Sequence, residues 1–536
     1  MQHGGSQNFK ITQEQILELY AAGPQAVVEL VKRMDGAIES LSTQVQQQQA
    51  RIEALEQELK KDSHNSGKPP SRDRMDSKQK RRKERSARKK AKRRPGGQEG
   101  HAGTTLQMVS DPDEVVLHRV GHCGGCGKSL RGAGVQDYER RQVFELPEIK
   151  VSVTEHRAEQ KLCECCGKLN GAKFPEAVSQ KVQYGSRLRA YGVYIRNYGL
   201  LCYQRAAQLF EDLFSVPLSP ATLVNMDRIC GRRLEGATEQ IRQGIIDFAV
   251  SGFDETGMSI NGKLHWLHTA STEQLTYLAW HPKRGKEAFD AIDILPHFKG
   301  RAIHDNWSSY FNYECAHGLC NAHHLRELTF VFDKYHQRWA SSMIELLLEI
   351  RGAVQRALRR GQRRFSTRTC ARHEKRYRAL IAAGLRANPP PVGLPGETKP
   401  GPRKQSKARN LVLRLKRRST ETLAFMYDFA VPFTNNQAER DLRVSKVQQK
   451  ISGTFRSTES AISFCRIRSY IATMKKNGIR VIDALQFPRM PDIVRVKECD
   501  VTSPGGPDAT VAGRSNEAVP GSIQRGYALV LLSKSI

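Results

Sequence analysis

Three acidic residues stand where catalytic carboxylates would be expected. Asp254 and Asp305 each end an apolar, strand-like stretch, and Glu439 lies near the start of a late helical segment. Three carboxylates are the minimum set that could hold two divalent cations about 4 Å apart, and their hard oxygen atoms favour Mg²⁺ or Mn²⁺. Such ions activate water or a 3′-hydroxyl for attack on a phosphodiester, so these residues indicate phosphoryl-transfer chemistry.

Each of these acids also has a structural explanation. Asp305, before Asn-Trp-Ser-Ser, would suit a helix N-cap, and Asp254, before Glu-Thr-Gly, would suit a hairpin turn. Asn436 followed by Glu439 has the spacing of a capping box. Spacing alone does not separate these acids from three neighbours in the sequence: Glu255, Asp293 and Asp441.

Two C-x-x-C-G knuckles form a second group of reactive side chains. Their glycines let the backbone turn so that amides approach the thiolates, and together they supply the four ligands of a tetrahedral Zn²⁺ site. The alternating Ile149, Val151 and Val153 between them predict a β-hairpin. His122 and Cys165 are spare donors, which leaves the fourth ligand open. The predicted zinc ligands are Cys123, Cys126, Cys163 and Cys166.

The acids must be positioned by a sheet. Three strands, IIDFAVSGFDETGM, KLHWLHTAS and QLTYLAWH, precede a helix, EAFDAIDILPHF, and a fourth strand, KGRAIHDNW. Asp254 would end the first strand and Asp305 the fourth, so the carboxylates meet if these strands are neighbours. This β-β-β-α-β order is the one used by the ribonuclease H-like fold. A helical, basic segment with a Pro-Gly loop then separates the sheet from Glu439, and we interpret it as an insertion.

The N-terminal region has a heptad pattern over residues 25 to 60. Val or Ile at most a positions, with Leu41 and Leu55 at d, favours a parallel two-stranded coiled coil. The alternative is an amphipathic helix packed on its own domain. The seam comprises Val31, Met34, Ile38, Leu41, Val45, Gln48, Ile52, Leu55 and Leu59.

A strongly basic stretch follows the heptads. The whole chain carries 86 Lys and Arg against 55 acidic residues, a net charge of +31, which favours a polyanionic partner such as DNA over an anionic membrane surface. Residues 72 to 94 cannot collapse on themselves and are expected to form a disordered arm that binds phosphates, or else a solvated linker. The residues expected to contact DNA are Lys80, Arg81, Arg82, Lys83, Arg88, Lys89, Lys90, Arg93 and Arg94.

Residues 186 to 245 have a helical pattern that contains a helix-turn-helix-like pair. Tyr203 to Phe214 predicts one helix, and Ser219 would cap a second helix that begins at Pro220. Helical pairs of this kind also occur without DNA binding.

Several motifs occur together in an order that resembles bacterial transposases of insertion-sequence family sixty-six. They are SGKPPSRD, RRPGGQEGHAG, the twin knuckles, FDETG, IHDNWSSYF, CNAHHLRE and NNQAERDLR. The resemblance implies a DDE transposase with a ribonuclease H-like core, in which Asp254, Asp305 and Glu439 are the catalytic, magnesium-binding acids. Related enzymes carry a C-x-x-H pair after the second aspartate, here Cys320 and His323, and the sequence leaves its role open between support of the site and metal ligation. Asn306-Trp307 departs from the Gly-Tyr common in the family.

These observations predict a multidomain α+β protein that dimerises, binds double-stranded DNA at element ends and target, and performs cleavage and strand transfer. The alternatives are a non-catalytic repressor or decayed transposase, and a nuclease that never joins strands. We find no signal peptide or long apolar run and expect a bacterial cytoplasmic, nucleoid-associated protein, with accessory proteins of the same element as further partners. The predicted parts are a coiled coil (1–62), basic arm (63–105), zinc-binding β module (106–180), helical DNA-binding region (181–245), first part of the catalytic core (246–330), helical insertion (331–428), C-terminal part of the core (429–486) and disordered tail (487–536).

Overall fold

The computed structural model describes residues 12–59, 106–390 and 405–486. The predicted basic arm and the tail from residue 487 lie outside these residues. No helix in the described ranges is both long enough and apolar enough to cross a membrane. All described cysteines are unpaired.

The N-terminal heptads form one long helix. A short helix, α1 (Gln13–Ala21), contacts α2 (Pro24–Leu59), which covers almost the whole predicted seam. The seam residues Ile38, Leu41 and Val45 are each at least 60% exposed. Within the described ranges, therefore, no other part of the chain covers this apolar face of the helix.

The module that carries the knuckles contains little regular structure. Two three-residue strands, β1 (Gln160–Leu162) and β2 (Leu169–Gly171), flank the second knuckle, and a single bridge between His122 and Ser129 closes the first. The predicted hairpin through Ile149, Val151 and Val153 is wrong. Residues 134–159 form no strand, and most of their apolar side chains are exposed, so the alternation has no buried face to stabilise it.

The helical region agrees closely with the sequence pattern. Helices α3 (Ser186–Val193), α4 (Tyr203–Phe214), α5 (Pro220–Arg233) and α6 (Glu235–Ile246) follow one another. The Ser219 hydroxyl accepts the backbone N–H of Thr222 at 3.0 Å, which confirms the predicted cap of α5. Helix α6 extends over Ile245 and Ile246, where the first strand was predicted to begin.

A five-stranded mixed sheet follows. Strands β3, β4 and β5 form an antiparallel meander, and β6 and β7 continue the sheet on the other side of β3 in the order β5-β4-β3-β6-β7. Strand β6 runs parallel to β3, and β7 runs parallel to β6. The strands span Val250–Ile260 (β3), Lys263–Ser271 (β4), Thr276–His281 (β5), Arg301–His304 (β6) and Ala316–Leu319 (β7).

Helices cover both faces of this sheet. Helix α7 (Lys286–Ile292) and the 3₁₀ turn Ser308–Asn312 pack on the face of β3 that carries Phe253. The long helices that follow the insertion pack on the opposite face, which carries Met258 and Ile260. The segment 321–427 has a hydrophobic core of its own, and Ile303 joins that core to the sheet. Its helices are α8 (Asn321–Tyr335), α9 (Arg338–Arg359), α10 (Thr367–Ala387), α11 (Lys407–Arg417), α12 (Ser419–Thr422) and α13 (Ala424–Tyr427), and those after it are α14 (Asn436–Ser452), α15 (Thr458–Lys476) and α16 (Val481–Gln486).

Candidate metal centres

Two of the predicted acids lie side by side on neighbouring strands. Gly252 of β3 pairs with Ile303 of β6, and two residues further along these parallel strands lie Asp254 and Asp305. Asp305 follows the end of β6 directly, as predicted. Asp254 does not end its strand: β3 continues to Ile260, and Asp254 is paired with Thr269 of β4. The hairpin-turn explanation of Asp254 is therefore wrong.

The third acid reaches the same place from α14. Asn435, the residue before this helix, donates from Nδ2 to the Phe253 carbonyl at 2.7 Å and from its backbone N to Cys320 Sγ at 3.1 Å. These bonds fix the first turn of α14, which contains Glu439, beside the middle of β3. The expected capping box is absent, because Asn435 occupies the N-cap position and makes no side-chain cap bond.

The negative charges of Asp305 and Glu439 both act on Asp254, and we call Asp254, Asp305 and Glu439 the carboxylate cluster. The pKa of Asp254 is raised well above its usual range, first by burial and then by the negative charges of Glu255, Asp305 and Glu439. No Lys or Arg forms an ion pair with any of the three in the described part of the chain.

The hydrogen bonds of these acids leave most of their oxygen atoms unused. Asp254 Oδ1 accepts the N–H of Glu255, and Asp305 Oδ1 accepts the N–H of Trp307 at 3.0 Å. Glu439 Oε1 is buried without a hydrogen-bond partner. A concentration of carboxylate oxygens with no cation and an unsatisfied buried acceptor fits a divalent metal ion with hard ligands.

The neighbouring acids are satisfied by the protein itself. Glu255 contacts Arg284 at 2.7 Å and accepts the Tyr310 hydroxyl. Asp441 forms an ion pair with Lys476 at 3.0 Å. Asp293 is bound by the Arg242 guanidinium at 3.1 Å. These three alternatives therefore have structural roles.

Cys320 and His323 lie against Glu439. Cys320 precedes α8 and is buried, and His323 is in the first turn of that helix. The Nδ1 atom of His323 is 4.0 Å from Glu439 Oε1. The C-x-x-H pair thus lies beside the carboxylate cluster, on the side of Glu439, rather than beside Asp305 alone.

The two residues after Asp305 are Asn306 and Trp307, where the family commonly has Gly-Tyr. Asn306 has a φ of +77°, the left-handed conformation that glycine adopts without strain and that asparagine tolerates better than most residues. Trp307 stacks on Arg284, whose guanidinium lies 4.1 Å from the ring centroid. The turn that presents Asp305 therefore has, at Asn306, the backbone conformation that a glycine would adopt without strain.

Sequence reasoning missed two contributors to this edge of the sheet. Asn435, the first Asn of NNQAER, orients the turn that carries Glu439, and Arg284 balances the charge of Glu255. An asparagine directly before a helix was a visible signal for the first. Arg284 lies in a loop before α7, and its partner lies 29 residues away in the chain.

The two cysteine knuckles have matching backbone turns. Gly127 and Gly167 both have positive φ values, and each donates its N–H to the carbonyl of the first cysteine of its knuckle. Backbone amides from the second cysteine of each pair lower the pKa of Cys123 and Cys163, as a metal-binding thiolate requires. No three of the knuckle thiols lie within 4.8 Å of one another in the described structure.

The fold and these sites define a mixed α/β protein with a carboxylate cluster on a central sheet and a cysteine-knuckle module before it. The family model described as "Transposase IS66 family" matches residues 181–463, more than half of the chain. The chain belongs to the IS66 family of transposases. A model described as the zinc-finger binding domain of transposase IS66 matches residues 121–167, which include both knuckles.

A third family model, of a family of unknown function (DUF6444), matches residues 12–107 and covers the heptads and the basic stretch. No curated protein matches the chain. Family membership supports a transposase role and zinc binding, and the assignment of roles to individual residues rests on the geometry above.

Proposed function

We propose that this protein is a DDE transposase that cleaves DNA at the ends of an insertion element and transfers the 3′-hydroxyl to target DNA. The observation that carries the proposal is that the charges of Asp305 and Glu439 act on Asp254 while none of the three acids has a cationic partner in the described chain, whereas Glu255 and Asp441 each have one. The three acids would hold Mg²⁺ or Mn²⁺. When bound, these ions supply charge stabilisation for both the attacking and the leaving oxygen.

The residues of the chain orient this chemistry rather than take part covalently. Asp254 is held in the middle of a paired strand, and the amide of Trp307 fixes one oxygen of Asp305. Asn435 fixes the helix turn that presents Glu439. Such positioning by regular elements keeps the carboxylates close despite their mutual repulsion.

A ribonuclease H-like core is the architecture we propose for residues 246–330 and 429–486. The strand order, with an antiparallel meander followed by a parallel β6 next to β3, supports it. The helices between β7 and α14 support an insertion at 331–428.

DNA binding is proposed for three parts of the chain. The basic arm would bind phosphates, the zinc module would be held by Cys123, Cys126, Cys163 and Cys166, and the pair α4–α5 would contact element ends. Arg228, Arg232 and Arg233 on α5 support the last assignment, because their charge exceeds that of Glu459, the acid with which Arg228 and Arg232 form ion pairs. Accessory proteins of the same element remain proposed partners.

The decisive experiment replaces Asp305 by Asn. We expect Asp305→Asn to lose magnesium-dependent cleavage of end-bearing DNA by at least about a hundredfold while DNA binding is unchanged, since only a metal ligand is removed. Asp293→Asn is the matched control, because Asp293 is paired with Arg242 and should not affect cleavage. Unchanged cleavage by Asp305→Asn would refute the catalytic assignment, and a wild type that binds end-bearing DNA without cleaving it would favour a repressor or decayed transposase.

A strand-transfer assay separates transposase from nuclease. A preprocessed end with a free 3′-hydroxyl should be joined to a target duplex by the wild type in Mg²⁺. Hydrolysis without any joined product would indicate a structure-specific nuclease.

A further inference from the structure

A second cluster of possible metal ligands shares one residue with the carboxylate cluster. Cys320 Sγ, a ring nitrogen of His323 and a carboxylate oxygen of Glu439 all lie within 4.8 Å of one another. No other group of three Cys, His, Asp or Glu side chains in the described structure is this close. We call these three residues the thiol-imidazole cluster.

Two atoms in this cluster are buried and unsatisfied. His323 Nδ1 and Glu439 Oε1 face each other without hydrogen-bond partners. Their separation of 4.0 Å is too long for a hydrogen bond between them. Buried polar atoms are rarely left without partners in a folded protein, so an external group is expected between them.

The chemistry of the three donors selects the class of that group. A thiolate, an imidazole and a carboxylate together suit a borderline-soft ion such as Zn²⁺, whereas Mg²⁺ prefers oxygen ligands alone. In a tetrahedral zinc site a nitrogen and an oxygen ligand are about 3.4 Å apart, so a small side-chain rotation would close the observed gap. The N-terminal end of α8 supplies two of the three donors. Cys320 lies directly before this helix, and His323 lies in its first turn.

We propose that Cys320, His323 and Glu439 bind a zinc-class ion at a site separate from the cysteine knuckles. The ion has three protein ligands and one open position. Its Oε1 ligand comes from Glu439, which leaves the second carboxylate oxygen of that residue for the carboxylate cluster. The bound ion therefore fixes the orientation of Glu439, and in this respect the inference deepens the proposed function.

The test counts zinc bound to the full chain after loading with Zn²⁺ and exhaustive dialysis. Cys320→Ser and His323→Gln should each hold one zinc ion fewer than the wild type. Cys370→Ser, a half-buried cysteine of α10, should hold the wild-type amount. Cys163→Ser should lose knuckle zinc and keep the ion at the thiol-imidazole cluster. Wild-type zinc content in both Cys320→Ser and His323→Gln would overturn the proposal.

The variants are chosen so that a loss of zinc is not explained by a failure to fold. Serine at position 320 would still accept the hydrogen bond from the Asn435 backbone N–H. The His323 side chain is 30% exposed, so His323→Gln decides the result if Cys320→Ser fails to fold. Asp305→Asn should retain this zinc ion. Because zinc is counted without DNA, an Asp305→Asn variant that still cleaves would refute the proposed function and leave this inference standing.

Discussion

At the scale of single residues, the cation site that we propose at the carboxylate cluster lowers the stability of the protein when no cation is bound. Three partly buried acids lie in the same region, and burial together with the neighbouring negative charges raises the pKa of Asp254. Clusters of like charge that the protein does not neutralise are typical of functional sites, since a purely structural acid would have acquired a partner, as Glu255 and Asp441 have.

We therefore predict that Asp254→Asn stabilises the protein when magnesium is absent. Removing the ionised carboxylate relieves repulsion from Asp305 and Glu439 and should raise the free energy of unfolding by roughly 1 to 2 kcal/mol. Magnesium should stabilise the wild type and not the variant, so the difference in Tm narrows as Mg²⁺ is added. The measurement is thermal unfolding in magnesium-free buffer without chelator, which leaves knuckle zinc in place. If Asp254→Asn is less stable than the wild type in that buffer, repulsion between Asp254 and the other two acids does not limit the stability of the protein.

A second buried acid predicts a pH dependence of stability. Burial raises the pKa of Asp227 to about 7, although Arg196 and hydrogen bonds from Tyr203 and Asn197 oppose the rise. Between about pH 4 and pH 7 the folded chain keeps a proton that the unfolded chain releases, so stability falls as pH rises. The slope is at most about 1.4 kcal/mol per pH unit and vanishes above the folded pKa.

Asp227→Asn should remove this part of the pH dependence. Urea unfolding midpoints measured across the interval from about pH 5 to pH 8 should fall less steeply for the variant than for the wild type. If the urea midpoints of the variant and the wild type change equally with pH, Asp227 is ionised throughout this interval. Asp227 lines a cavity of about 380 Å³ that shares no lining residue with the carboxylate cluster, so the variant tests packing between α5 and α15 rather than catalysis.

At the scale of elements, the position of Glu439 depends on the close approach of α14 to β3. Gly252 lies under the start of this helix, and a Cβ atom there would clash with Asn435 Oδ1 and lie 3.4 Å from the Ala438 Cβ. A glycine at this strand position therefore permits the helix to lie against the sheet. Asn435, directly before this helix, also donates a hydrogen bond to the Phe253 carbonyl.

Gly252→Ala should push α14 away from β3. We expect a loss of about 2 kcal/mol in the free energy of unfolding and a strong loss of cleavage, because Glu439 moves with the helix. The control is Gly257→Ala in the same strand, whose added methyl group would meet only the end of the exposed Leu264 side chain. Cleavage and urea unfolding are measured for both. Equal behaviour of the two variants would contradict the packing argument.

The sequence predicts some elements well and others poorly for physical reasons. Strand β3 is visible because buried and less buried residues alternate along most of it, and β6 is visible because Ala302 and Ile303 form a short buried apolar run. Strand β7 has four residues, one of them Gly318, and is too short to show a pattern. The hairpin predicted between the knuckles does not form, because the alternating apolar residues there have no buried surface to pack against. The approach of Cys320 to Glu439 depends on how the intervening helices pack, which local patterns do not encode.

At the scale of the whole molecule, α2 presents its apolar stripe without a partner in the described chain. The seam repeats at heptad spacing over a 36-residue helix. Since an isolated helix gains little from such a stripe in water, we propose that it pairs with α2 of a second copy as a parallel coiled coil. The dimer would present two basic arms, so both could bind DNA at once.

Val45→Asp tests this assembly in the full-length protein. A charge in the seam should convert the dimer to a monomer, because both helices would bury a carboxylate at the same level. Gln47→Asp adds the same charge to the outer face of α2 and should remain dimeric. Light scattering gives the masses, and titration with DNA at several salt concentrations gives the number of phosphates contacted. The monomer should show a shallower salt dependence than the dimer, since it engages one arm instead of two. If the wild type and Val45→Asp are both dimers, the dimer does not depend on the α2 seam. If both are monomers, the protein does not dimerise.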